Sequence, residues 1–153
     1  MTANGMLARR FEAARDADPI WGECVEIVEA LRSVLASQLH IRQAILFGSS
    51  ASGRQTYESD IDLAVDAGRP LTAEEKLALI SDLGGALGRP VDLIDLHAAG
   101  EPLLGQILRR GQRVLGSDSD YAGLIRRHVF DQADFAPYRA RILAERRDAW
   151  IGR

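Results

Sequence analysis

Hydrophobic residues recur along this chain with two periods, and the periods mark its elements. Trp21, Val25, Val28, Leu31, Leu35 and Leu39 repeat at steps of three and four, which predicts one helix with a core-facing stripe. Ala44-Ile45-Leu46-Phe47 is a short apolar run ended by Gly48 and reads as a buried strand. The Gly48-Ser49-Ser50-Ala51-Ser52-Gly53 segment suits a tight turn into a short helix. Residues 59–65 then alternate: Ile61, Leu63 and Val65 share one face of a second strand, and Asp60 and Asp62 share the other.

Thr72 and Glu75 carry the spacing of a capping box. Leu77, Ile80, Leu83 and Leu87 continue as a helix stripe, stopped by Gly88 and Pro90. Residues 91–96 read as a third strand. Residues 102–110 read as a helix with Gly111 as its stop, and Arg113-Val114-Leu115 as a short last strand. Residues 119–150 read as two helical stretches broken between Asp134 and Pro137. This order predicts an α+β fold with α/β-like alternation: a small mixed sheet flanked by helices, with a helical C-terminal appendage. Strand order is not readable from periodicity. The expected organisation is a polar arm over residues 1–18, a domain over 19–116, and an extension over 117–153 that packs on the domain or on a partner.

Composition narrows the function classes. The chain has 153 residues, 46% apolar and 27% charged, the profile of one folded domain. No run of about 18 apolar residues is present, so no membrane span is expected. Cys24 is the only cysteine, which excludes an internal disulfide and suits a cytoplasmic protein. His40, His97 and His128 are scattered, which argues against structural zinc. The net charge of −3 disfavours direct nucleic-acid binding. Residues 121–153 depart from it, with seven Arg against four acidic residues.

The chemistry gathers on three carboxylates and one turn. Asp is depleted in strands, so Asp60 and Asp62 on one strand face need a reason. Asp92 lies in the next strand, and if the two strands are neighbours all three carboxylates can meet. Hard oxygen ligands of this kind suit Mg²⁺, and converging carboxylates could grip an ion pair. Gly48 lets the backbone approach a ligand, and Ser49 offers a hydroxyl and an N–H near a helix start, where phosphate is favoured. Each feature alone is weak: the turn could be only a turn, and an exposed sheet face accounts for many Asp pairs. Their order is the signal. Asp95 faces away from Asp92 or ends the strand, and reads as a solvated end or a helix-cap partner. His97 reads as a surface-loop residue, Cys24 as a small buried one, and Arg126 and Arg127 as surface or interface.

Phe47-Gly48-Ser49, ten intervening residues, then Asp60-Ile61-Asp62, with Val91-Asp92-Leu93-Ile94 following, resembles the signature of the DNA polymerase beta-type nucleotidyltransferases. The short chain is similar to the minimal nucleotidyltransferase antitoxins paired with HEPN-domain RNase toxins. The resemblance implies a nucleotidyltransferase fold over residues 19–116. It implies that Gly48 and Ser49 hold a nucleoside triphosphate and that Asp60, Asp62 and Asp92 bind two Mg²⁺, with Asp92 also taking the acceptor proton. Many relatives carry basic residues where this chain has Ser50 and Ser52; Arg54 is the nearby cation that could stand in for them.

The reaction so implied is transfer of AMP from ATP to a hydroxyl, a tyrosine of a HEPN toxin, which would silence the RNase. Tyr121, Leu124, Ile125, His128, Gln132 and Phe135 follow helical spacing, and Trp150 adds a large apolar group. This surface either packs on its own sheet or docks a partner protein. Two other readings stay open: an antitoxin that neutralises by contact alone, and an antibiotic-type small-molecule nucleotidyltransferase. The second would need a dimer to build an acceptor pocket, and the sequence leaves the oligomeric state open. A nucleic-acid binder using the Arg-rich tail ranks last, because no aromatic stacking series accompanies it.

Overall fold

The computed structural model describes residues 19–48, 51 and 59–152, with side chains in the first helix from Val25 onward. Ser49, Arg54, residues 1–18 and the side chains of Trp21 and Cys24 lie outside the described residues.

Helix α1 (Pro19–Ala36) buries Ile27, Val28, Leu31 and Leu35. The predicted stripe ran one turn too far, since Leu39 lies past the helix end and is 93% exposed. The helix closes early because the Ser37 and Gln38 amides donate three residues back, to Val34 and Leu35, tightening the last turn before the chain enters strand β1 (Gln43–Phe47).

The remaining elements are β2 (Ile61–Asp66), α2 (Ala73–Leu87), β3 (Val91–Asp95), α3 (Leu103–Arg110), β4 (Gln112–Leu115) and α4 (Asp118–Ile151). The strands form one mixed sheet in the order β3-β2-β1-β4. β1 is antiparallel to both β2 and β4, whereas β2 and β3 run parallel through the α2 crossover. Strand alternation sorts the core into two layers. Ile61, Leu63 and Val65 join Leu46 under α1 and α2. Ala64 and Ile45 point the other way, toward Leu104 and Ile107 of α3 and Leu124 of α4. Among the described residues no helix is long and apolar enough to cross a membrane.

α2 starts with the predicted capping box: the Thr72 side chain accepts from the Glu75 amide, and Glu75 accepts from the Thr72 amide. Its core face differs from the predicted stripe. Leu79 and Leu83 are buried, while Leu77 is 68% exposed. Leu77 is two residues from Leu79, which at ~100° per residue places it on the opposite side of the helix. Glu75 also takes a two-point contact from Arg69, with nitrogen–oxygen distances of 2.6 and 2.9 Å. The Arg69 bond, then the Thr72 amide, hold the Glu75 carboxyl down at about 2. A lowered folded-state value means this contact stabilises the fold above the ordinary 4.5 and loses that effect as pH falls toward about 2. Urea midpoints of the native protein and Glu75→Gln should therefore converge across that window. Parallel curves would show that the Arg69–Glu75–Thr72 contact adds nothing.

α4 is one helix with Pro137 inside it, where the sequence predicted a break. Proline removes one amide donor, but the residues around the lost bond are exposed, so water can satisfy the orphaned carbonyl. The first turns of α4 are tied to the body. Leu124 is buried, the Arg127 guanidinium donates to the Leu96 and Ala99 carbonyls, and His128 Nδ1 meets the Glu101 carboxylate. Arg127 is thus a strut between α4 and the end of β3. Beyond it Val129, Phe130, Phe135, Leu143 and Trp150 are exposed.

Candidate active site

β1 ends at Gly48, whose φ of +70° is open to glycine at little cost. Register explains the second demand on this position. Phe47 pairs with Asp62 across the β1–β2 ladder, so the chain leaving β1 passes beside the Asp62 side chain. A Cβ on Gly48 would overlap the Asp62 carboxylate. The glycine therefore lets that carboxylate lie against the turn.

The parallel β2–β3 ladder supplies the next carboxylate. Asp62 and Asp92 are register partners, as are Ile61 and Val91 on the opposite face. Neighbouring strands lie ~4.8 Å apart, which brings the two aspartates side by side. Asp60 stands one residue before β2. Asp62 is half-buried, while Asp60 and Asp92 are exposed. Burial, then the negative charges of Asp92 and Asp60, push the Asp62 carboxyl above its ordinary value. Like charges crowded together disfavour ionisation, and a bound cation reverses that penalty.

These residues fit a hard divalent cation. They are oxygen donors with mutual repulsion to relieve, beside a turn that excludes a side chain. Among the described residues no three ligating side chains are already closed into a chelate. The exposed Asp60 and Asp92 would close on an ion by side-chain rotation. Of the six site residues read from sequence, Gly48, Asp60, Asp62 and Asp92 come to one end of the sheet, and Ser49 and Arg54 fall outside the described residues.

Asp95 departs from its expected solvated position. It is only 6% exposed, accepts from the Leu71 and His97 amides at 2.9 Å each, and so anchors the entry to α2. It ends β3, as one reading had it, but it is buried rather than solvated and caps no helix, since the N-cap of α2 is Thr72. His97 is exposed, at the opposite end of β3 from Asp92. A separate cleft of about 770 Å³ lies between Glu101, Pro102 and Arg109 and the Phe135–Leu143 stretch of α4. None of the four clustered residues lines it.

Comparison with known proteins points the same way. The family described as polymerase beta, nucleotidyltransferase, matches residues 29–120, more than half of the chain. The protein adenylyltransferase MntA of Shewanella oneidensis is 39% identical over 75 residues, which are 49% of this chain and 54% of MntA. The chain thus matches about half the length of that relative. A provisionally named protein adenylyltransferase of Methanocaldococcus jannaschii is 38% identical over 52% of this chain and 82% of its own length. Among solved structures, a toxin–antitoxin complex with AMP-PNP is similar at 27% identity and a TM-score of 0.63, over 76% of this chain and 98% of that one. A complex of a tri-AMPylated Shewanella oneidensis HEPN toxin with an MNT antitoxin is similar at 25% identity and a TM-score of 0.55, covering 81% and 98%.

Proposed function

The chain belongs to the polymerase beta nucleotidyltransferase family, and we propose that it is a Mg²⁺-dependent adenylyltransferase that moves AMP from ATP to a tyrosine hydroxyl of a HEPN-family RNase toxin, acting as its antitoxin in the cytoplasm. The observation that carries the reading is the alignment of Asp62 with Asp92 beside the Gly48 turn.

In this reading Gly48, Ser49 and Arg54 receive the triphosphate. Asp60, Asp62 and Asp92 hold the cations. Two bound Mg²⁺ would supply charge neutralisation at the α-phosphate and at the departing oxygen. The acceptor oxygen attacks the α-phosphorus, the bond to the β-phosphate oxygen breaks, and pyrophosphate leaves. Asp92, exposed at the rim, takes the proton of the attacking hydroxyl. The work of the protein is positioning and electrostatic stabilisation.

The toxin is the acceptor of choice because relatives of this chain are named protein adenylyltransferases and similar folds occur in toxin–antitoxin complexes. The outer half of α4 supports a protein partner: Phe135, Leu143 and Trp150, the last 84% exposed, offer an apolar surface of a kind that usually meets another protein. That surface also favours a second reading, neutralisation by contact without catalysis.

Intact-mass measurement separates the two. The protein is incubated with ATP, Mg²⁺ and a HEPN toxin encoded beside it. A gain of one or more AMP units, lost after Tyr→Phe replacement at the modified position, is the expected result. An unmodified toxin in a stable complex would favour neutralisation by contact. Neither modification nor complex would remove the toxin as acceptor.

A further inference from the structure

We infer that Arg89 is a positioning residue for the metal site, acting by fixing the backbone on either side of Asp60. Asp60 has no ladder partner of its own, since it precedes β2 and the described pairing begins at Ile61 with Val91. Its neighbours are tied to the α2–β3 turn instead. The Arg89 guanidinium donates from Nη2 to the Ser59 carbonyl at 2.8 Å, in a partly buried contact spanning 30 residues. The Ile61 amide donates to the Pro90 carbonyl at 2.9 Å. Residues 59 and 61 are thus held by residues 89 and 90, with Asp60 between them.

The same turn leads straight into Val91 and Asp92. It is set from the other side by Gly88, which ends α2 in the left-handed region at φ +64° with its amide on the Gly84 carbonyl. One short segment therefore fixes where Asp60 leads into β2 and where Asp92 enters β3. A charge-assisted bond to a backbone carbonyl is stronger than a neutral one. An exposed carboxylate recruited to a cation needs its backbone fixed if it is not to lose ordering entropy on binding.

This inference rests on the metal-site reading above, and the test keeps the two apart. The probe is Mn²⁺ alone, titrated by calorimetry into the nucleotide-free full chain. Arg89→Met keeps the aliphatic stem and removes the donor. It should weaken Mn²⁺ binding about tenfold, the scale on which outer partners of metal ligands act. Arg89→Lys, which can still reach a carbonyl, should recover most of that loss. In an Asp60→Asn background, Arg89→Met should cause no further weakening, because the residue it positions is already disabled. A general loosening of the fold would weaken both backgrounds alike and overturn the inference. Unchanged binding in Arg89→Met would overturn it too. A native protein that binds no Mn²⁺ would overturn the metal site, and the role of Arg89 with it.

Discussion

Asp62→Asn is expected to lower AMP transfer by about 10²–10³-fold, the scale seen when one preorganised electrostatic group is lost, while leaving the fold intact and no less stable at neutral pH. The direction of the stability effect follows from the environment of Asp62. Its carboxyl is raised above 3.8 by burial and by Asp92 and Asp60. A raised value means the folded state holds that proton more tightly than the unfolded chain. Stability therefore falls as pH rises from 3.8 through the folded value, and the penalty persists at neutral pH. Asparagine keeps the shape and removes the penalty. Adding Mn²⁺ should raise the melting temperature of the native protein and leave that of Asp62→Asn nearly unmoved. Equal shifts in the two proteins, or full activity in the variant, would take Asp62 out of the metal site.

Gly48→Ala is expected to act on fold and activity together. An L-residue held at φ +70° costs about 1–2 kcal/mol on conformational grounds. The added methyl must also displace the Asp62 carboxylate, since the two would occupy the same space. Transfer should fall to near background, because the displaced carboxylate loses its alignment with Asp92. Urea denaturation reads the first effect and initial rates of AMP incorporation the second. Destabilisation with normal transfer would show that the contact between this turn and Asp62 is structural only.

Much of this was legible because local chemistry decided it. Alternation in residues 61–65 placed Asp62 on the face opposite Ile61, Leu63 and Val65, and the core layers agree. Thr72 and Glu75 announced the start of α2, and Gly48 announced a turn. The misses share a different cause, which is packing between elements distant in sequence. Leu77 and Leu79 are equally apolar, and only the position of the sheet chooses between them. Asp95 looks like a solvated strand end until the Leu71 amide, 24 residues away, is seen to need an acceptor. Arg127 looks like a surface or interface cation, and nothing in the sequence singles out Arg89, because their carbonyl partners belong to other elements. The break expected between Asp134 and Pro137 fails for a different reason: an exposed helix can lose one bond to water and continue. Ser49, read from the chemistry of the turn and the family resemblance, and Arg54, read as a nearby cation, lie outside the described residues.

The parallel pairing of β2 with β3 has a consequence for timing. Asp62 and Asp92 stand thirty positions apart in the chain, and no hairpin can join them. A parallel pair needs its crossover, here the whole of α2, before the edges can meet. Distant pairings of this kind are intrinsically slow, because loop closure must precede their reward. A nascent chain can bring Gly48 against Asp62 through the β1–β2 ladder while residue 92 is still undelivered. Such a chain has the turn and one side of the site but no opposing carboxylate. In the proposed reaction, competence for chemistry is thus a late event in biogenesis, because the carboxylate that takes the acceptor proton is delivered last.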